Sequence, residues 1–157
     1  LSASSTPAAT TTRSCLNGGS LVQFAKNLPS HTGIFCMHEQ HKQLGQWGEQ
    51  IAATYLRRRG YQLLARGWHC REGELDIVAY DPGVRTLTFV EVKTRRSIRF
   101  GSPEESISGK KLRSLEAAAS RYLAAVGYRG PVRFDLIGIT IRPGIVRLHH
   151  LHNMAFD

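Results

Sequence analysis

Cysteine is scarce. The 157-residue chain has three, Cys15, Cys36 and Cys70. They are odd in number, far apart and form no C-x-x-C pair, which argues against a disulfide scaffold and a cysteine-built zinc site. Such usage fits a reducing compartment, so the expected location is the cytoplasm. No apolar run approaches the ~18 residues of a membrane-spanning helix. Acidic residues are few as well: 12 against 21 Lys and Arg, for a net charge of +9 and a pI near 10.0. Apolar residues still make up 41% of the chain, enough to bury the core of one ordinary domain. A chain this small and basic attracts polyanions. Nucleic acid is the first partner class this implies, and an anionic membrane surface the second. A merely solubilising excess of Arg is the alternative.

Residues 1–36 lack acid altogether, and the first acidic residue is Glu39. They also lack the 7–15-residue apolar stretch of a secretory signal. Their Ser/Thr-rich composition faintly resembles a transit peptide. The preferred reading is a mis-assigned start, because the first methionine is Met37. Either way, residues 1–36 are expected to be a disordered tail or translated upstream sequence, and residues 37–157 the domain.

Gln43 to Arg59 reads as a helix, with Leu44, Trp47, Ile51, Tyr55 and Leu56 at spacings mainly of three and four. Arg57, Arg58, Arg59 and Gly60 supply its stop. Glu49 lies on the flank of the apolar stripe, beside Gly45, Ala52 and Ala53. Such small residues let a helix lie close to a sheet, with Glu49 reaching past its edge; a solvated surface Glu is the plainer reading. Strands follow at Tyr61–Trp68, Gly73–Tyr80 and Thr86–Lys93. Asp81-Pro82-Gly83 turns the last two into an antiparallel hairpin. A second helix lies within Pro103–Val126. Strands at Val132–Ile141, expected to be central, and at Ile145–His152 complete the chain. The order predicts a single α/β domain with a mixed sheet packed by helices.

On strand parity, Glu74, Asp76, Val78 and Tyr80 share one face, as do Leu87, Phe89, Glu91 and Lys93. A register pairing Tyr80 with Leu87 sets Asp76 opposite Glu91. Charges in an otherwise apolar strand are costly to bury unless they are paired or bind metal. A Mg²⁺ ion held by Asp76 and Glu91, with Mn²⁺ as a substitute, explains the pattern. Such an ion keeps free positions for water and phosphate and promotes phosphodiester hydrolysis. Lys93, on the same side, can position the nucleophile and stabilise developing charge. A cross-strand salt-bridge cluster is the alternative.

Gln46 to Glu49, Gly73-Glu74-Leu75-Asp76, Phe89-Val90-Glu91-Val92-Lys93, Phe100-Gly101 and Arg133-Phe134-Asp135 occur in one order at close spacings. Together they closely resemble the YraN family of small bacterial proteins, over about residues 43–157. That family is similar to the PD-(D/E)xK nuclease superfamily, and its nearest functional relatives resemble archaeal Holliday-junction resolvases. The resemblance implies a restriction-endonuclease-like fold, a mixed β-sheet flanked by α-helices. It implies metal ligands at Asp76, Glu91 and the Val92 carbonyl, and the catalytic lysine at Lys93. Glu49 falls on the extra acidic residue of resolvase-like members, which reverses its plainer reading. The residue before Asp76 is Leu75 rather than Pro, a departure resolvase-like members tolerate. Glu74 either assists metal binding or pairs with Arg71.

The implied activity is that of a metal-dependent endodeoxyribonuclease on structured or branched DNA. A homodimer is implied by analogy with resolvases, which work as symmetric dimers. The competing readings are a non-catalytic nucleic-acid-binding protein and a replication or repair interaction protein on the same fold. Arg95, Arg96, Arg99, Lys110, Lys111 and Arg113 form a candidate phosphate-binding track. Arg133 and Asp135 share a strand face and are expected to form a buried pair beside the site. His149 and His150 point to opposite faces, which argues against a three-histidine metal site with His152. Trp47 and Trp68 are read as core.

Overall fold

The computed structural model describes residues 12–14, 37–96 and 108–154. Strand β1 (Thr12–Ser14) is followed by helix α1 (Met37–Arg58), then β2 (Gln62–Cys70), β3 (Gly73–Asp81) and β4 (Thr86–Arg95). Helix α2 (Gly109–Val126), β5 (Val132–Arg142) and β6 (Ile145–Leu151) complete the order. The strands form one mixed sheet in the order β1-β6-β5-β4-β3-β2. Among the described residues only β4 and β5 are parallel, and the link between them contains α2, as a parallel crossover requires. The expectation for residues 1–36 lies outside the described residues except at Thr12–Ser14, which pair along β6.

Helix α1 begins at Met37, six residues before the expected start at Gln43. Helix α2 begins where the Ser108 hydroxyl accepts the Lys111 amide at 3.3 Å, as an N-cap does. The part of its expected span before Ser108 lies outside the described residues. The β3–β4 hairpin takes the expected register, Tyr80 against Leu87. Strand β5 is central and covered on both faces, with Asp135 to Ile139 all buried.

Two cores sit on the two faces of the sheet. On one, Ile51, Ala52, Tyr55 and Leu56 of α1 pack against Ile77, Ala79, Val90, Ile137 and Ile139. On the other, Leu115, Ala118, Ala119 and Tyr122 of α2 pack against Val78, Leu87 and Phe89. Each large side chain buried this way contributes roughly 1.5–3 kcal/mol. Trp47 packs against the first core and Trp68 joins the second, where it meets Tyr122 edge-on at 5.4 Å.

The simple parity of β3 does not hold along its length. Leu75 and Val78 share the α2-side core although they are three positions apart, as do Ala65 and Trp68 on β2. Pairing of Arg66 with Ile77 and Trp68 with Leu75 puts Gly67 across from Asp76. Gly67 has φ +55°, a left-handed conformation that glycine adopts without a Cβ penalty. The alternation reverses at this cross-strand pair without a shift of register, the register shift of this ladder lying between Leu63 and Ala65. Glu74 and Val78 therefore do not share the face that strict alternation gives them. Beyond Ile77–Val90 the β3–β4 ladder stops, and the next inward amide, Val92 N–H, donates to Asp76 Oδ2 at 2.7 Å. A side-chain carboxylate takes the place of a ladder carbonyl.

Gly48 brings α1 down onto β4. A Cβ there would lie 1.6 Å from Thr94 Oγ1. Gly48→Ala is expected to lower the thermal midpoint, because about 1–3 kcal/mol of overpacking exceeds the helix-propensity gain of about 1 kcal/mol. Adding Thr94→Ala should partly restore it. Differential scanning calorimetry of the three variants checks this.

Candidate functional site

Strand β4 carries a carboxylate through the middle of the sheet. Glu91 is 1% exposed and follows the parity of Phe89, so it faces the α2 side. Lys93, two residues on, donates from Nζ to Glu91 Oε1 at 2.6 Å. Lys111 of α2 brings its Nζ to 3.1 Å from Oε2. That contact is an ion pair off the line of a hydrogen bond, so Oε2 is buried without a hydrogen-bond partner. The Lys111 ammonium offsets its charge, and its lone pairs remain open to a cation.

Asp76 lies where the hairpin ladder ends. Burial pushes its carboxyl up to about 7, and the Glu91 carboxylate adds to the rise. The Val92 amide and the Lys111 ammonium pull it down by less. Glu49 also titrates above the ordinary carboxylate range, first through burial, then through Glu74, with Glu91 adding further. The negative charges of Glu49, Asp76 and Glu91 thus bear on one another across α1, β3 and β4. Ala52 and Ala53 beside Glu49 are fully buried, the close helix–sheet packing their size allows. Carboxylates must be deprotonated to hold a metal, and a set of oxygen donors suits a hard cation such as Mg²⁺.

Of the residues singled out in the sequence, Glu91, Lys93 and Asp76 come together around β4, with Glu49 acting on them through its charge. Glu74 pairs through Oε1 with His69 Nε2 at 3.1 Å, not with Arg71, and its charge bears on Glu49. Arg95 ends β4 and Arg96 follows it, exposed. Arg99 lies outside the described residues. Lys110 and Arg113 are exposed on the opening turn of α2, whereas Lys111 turns inward to Glu91.

A second polar cluster occupies the α1 side. Asp135 on β5 is fully buried. Its Oδ1 accepts Arg133 Nε and the Asn153 amide, each at 2.9 Å. Its Oδ2 accepts His150 Nε2 at 3.0 Å, Arg133 Nη2 at 3.1 Å and His152 Nδ1 at 3.2 Å. An ionised carboxylate only accepts, so each histidine presents its N–H. Burial alone would raise the Asp135 carboxyl; the donors from His150, His152, Arg133 and Asn153 outweigh it and hold it well below the usual range. Burial likewise lowers His150, and pushes the Tyr61 phenol up to about 12.

The ligand atoms of Asp135, His150 and His152 lie within 4.8 Å of one another, a group that could hold a metal ion. Five donor contacts already saturate the Asp135 carboxylate, however. The expected Arg133–Asp135 pair forms, across from Val90 and on the face of the sheet opposite Glu91. Arg133 Nη2 also reaches the Tyr61 hydroxyl at 2.8 Å and Asp81 Oδ2 at 3.3 Å. Asp81 is at the turn end of the hairpin, about 17 Å along β3 from Asp76 at ~3.3 Å per residue. His149 takes no part in the cluster, as its parity required. Sequence reasoning missed the joining of Asp135 to His150 and His152, since it depends on the pairing of β5 with β6, which puts His150 beside Ile137.

Two outcomes follow. A carboxyl raised from 3.8 to about 7 keeps its proton in the folded protein while the unfolded chain loses it. Its contribution to stability is therefore full below pH ~4 and is lost as pH rises through ~7. Between pH 4 and pH 8, in EDTA, Asp76→Asn should abolish a loss of about 2–4 kcal/mol, read by urea unfolding at each pH. Asp135→Asn removes the buried charge on which Arg133, His150 and His152 converge, leaving Arg133 only Asp81 as a charged partner, and should cost about 3–5 kcal/mol in the same measurement at pH 7.

Residues 48–139 match the family model described as "Uncharacterised protein family UPF0102". A UPF0102 protein of Herpetosiphon aurantiacus is 43% identical over 126 residues, spanning 77% of this chain and 100% of its own. One from Syntrophomonas wolfei subsp. wolfei is 44% identical over 114 residues, 72% of this chain and 97% of its own. A third, from Bifidobacterium longum, is 45% identical over 115 residues, 71% and 92% respectively. With a family match across most of the domain, and relatives similar along almost their whole length, the chain belongs to the UPF0102 family.

Proposed function

We propose that this protein is a Mg²⁺-dependent endonuclease that hydrolyses phosphodiesters in structured or branched DNA. The observation that carries the reading is the Glu91 carboxylate: buried in a central strand, faced by two lysines, with one oxygen lacking a hydrogen bond and the raised Asp76 carboxyl beside it. A salt bridge built only for stability is a poor explanation, because a buried ion pair is often no better than an apolar replacement. A functional site is where such perturbed groups concentrate.

Asp76, Glu91 and the Val92 carbonyl would hold the cation, with Glu49 contributing directly or through water. Bound there, Mg²⁺ supplies Lewis acidity toward a phosphodiester and lowers the pKa of an attacking water. The protein's own groups do the rest. Lys93 keeps an ammonium beside the reacting centre and stabilises negative charge on the phosphate oxygens as it develops. The Val92 amide fixes Asp76 so that its carboxylate need not reorganise. Arg95, Arg96, Lys110 and Arg113 neutralise flanking phosphates without reading bases. Deeper likeness to restriction endonucleases and to junction resolvases is part of the same proposal, as is a homodimer matched to a symmetric junction.

The test compares wild type, Asp76→Asn and Lys93→Ala on labelled linear, flapped and four-way DNA with Mg²⁺ or Mn²⁺. Both variants should cut at least about 100-fold more slowly, about 2.7 kcal/mol of barrier. Asp76→Asn should bind DNA as well as or better than wild type without metal, since it removes a charge that repels phosphate. Affinity should fall with salt at a slope of roughly −4.5 for about five neutralised phosphates. Equal cutting by all three would place the activity elsewhere. Binding by all three with no cutting would favour the non-catalytic reading.

A further inference from the structure

Lys111 differs from the other cations at the start of α2. The first turn of this helix holds no acidic residue but carries Lys110 and Lys111, with Arg113 just behind them. The helix dipole is positive at that end, which makes each cation unfavourable there. Lys110 and Arg113 are exposed to water, which screens the repulsion. Lys111 is instead turned onto Glu91, 33% exposed against the carboxylate's 1%, at 3.1 Å from the Oε2 atom that has no hydrogen bond.

Each oxygen of Glu91 thus faces one ammonium: Lys93 from its own strand at Oε1, and Lys111 from a different element at Oε2. With Lys93 kept on Oε1, a cation that takes the place of Lys111 at Oε2 leaves the buried carboxylate compensated throughout. We infer that Lys111 is a second active-site lysine, stored on Glu91 while the site lacks metal and released by the metal to a phosphodiester oxygen of the nucleic-acid substrate. This rests on the nuclease reading above. It has a thermodynamic consequence: metal and nucleic acid each make the other's binding easier, by the same factor. Lys93, fixed two residues away on the same strand, remains at the reacting centre, whereas Lys111 couples α2 to the state of the site.

The experiment titrates Mn²⁺ into full-length wild type, Lys111→Gln, Lys111→Arg and Arg129→Gln by calorimetry, without nucleic acid. Arg129 is exposed beyond the end of α2, so its variant matches the charge change away from the site. The signal counted is the Mn²⁺ binding that Asp76→Asn abolishes, which separates it from any metal held at Asp135, His150 and His152. Lys111→Gln should bind Mn²⁺ about tenfold more tightly, about 1.4 kcal/mol, because a competing cation is gone. Lys111→Arg and Arg129→Gln should match wild type. In a second arm, Ca²⁺ should tighten binding of a duplex oligonucleotide relative to EDTA in wild type, and Lys111→Gln should lose that gain. Unchanged or weaker Mn²⁺ binding by Lys111→Gln overturns the inference, as does full retention of the Ca²⁺-linked gain. Absence of any Asp76-dependent Mn²⁺ binding in wild type overturns it too. Failure of wild type to cut any nucleic acid overturns the nuclease reading instead, and the Mn²⁺ titration still decides whether Lys111 competes with metal.

Discussion

A carboxylate at the centre of a sheet must be neutralised within reach of its own two oxygens. Leaving an ionised group uncompensated there costs several kcal/mol, and Glu91 is such a group. Much of the architecture around it answers this demand. Strand parity puts Lys93 on the same side of β4, and the crossover through α2 delivers Lys111 from above. The end of the β3–β4 ladder lets Asp76 approach from the neighbouring strand and take the Val92 amide. Helix α1 can present Glu49 to the same region because Gly48 allows it to descend onto Thr94.

The alternation break at Gly67 and Asp76 makes that geometry possible. A regular β2–β3 pair would carry Trp68 and Leu75 to the α1 side. With the reversal they join Tyr122 and Leu115 under α2, while Arg66, on the other side of the break, donates from Nη1 to Gln50 of α1 at 2.9 Å. Asp76 stands at the point of reversal, where neither core claims its side chain.

Most of the elements are legible from local pattern. Apolar spacing marks α1 and α2, and Asp81-Pro82-Gly83 fixes the hairpin register that brings Asp76 toward Glu91. The hidden parts are those that need partners distant in sequence. A glycine inside a strand signals a bulge, but Gly67 by itself does not say that Leu75 must change sides with Trp68. The basic opening turn of α2 runs against the helix dipole, a clue to Lys111 that a charge count blends into a general track. Parity separates His149 from His150. Only the pairing of β5 with β6 reveals that His150, His152 and the Asn153 amide all meet on Asp135.

The parallel strands β4 and β5 carry one buried carboxylate toward each face of the sheet. Glu91 depends on a helix that covers one layer, Asp135 on the final strand and the residues just after it. Detaching α2 would withdraw Lys111 from Glu91. Unzipping β6 would withdraw His150, His152 and Asn153 from Asp135, leaving it to Arg133 alone. Either partial opening exposes not just a hydrophobic face but a half-compensated charge inside the part that stays folded. Sub-global opening is therefore penalised beyond the contacts it breaks. The two layers are tied into one cooperative unit, although they share no core.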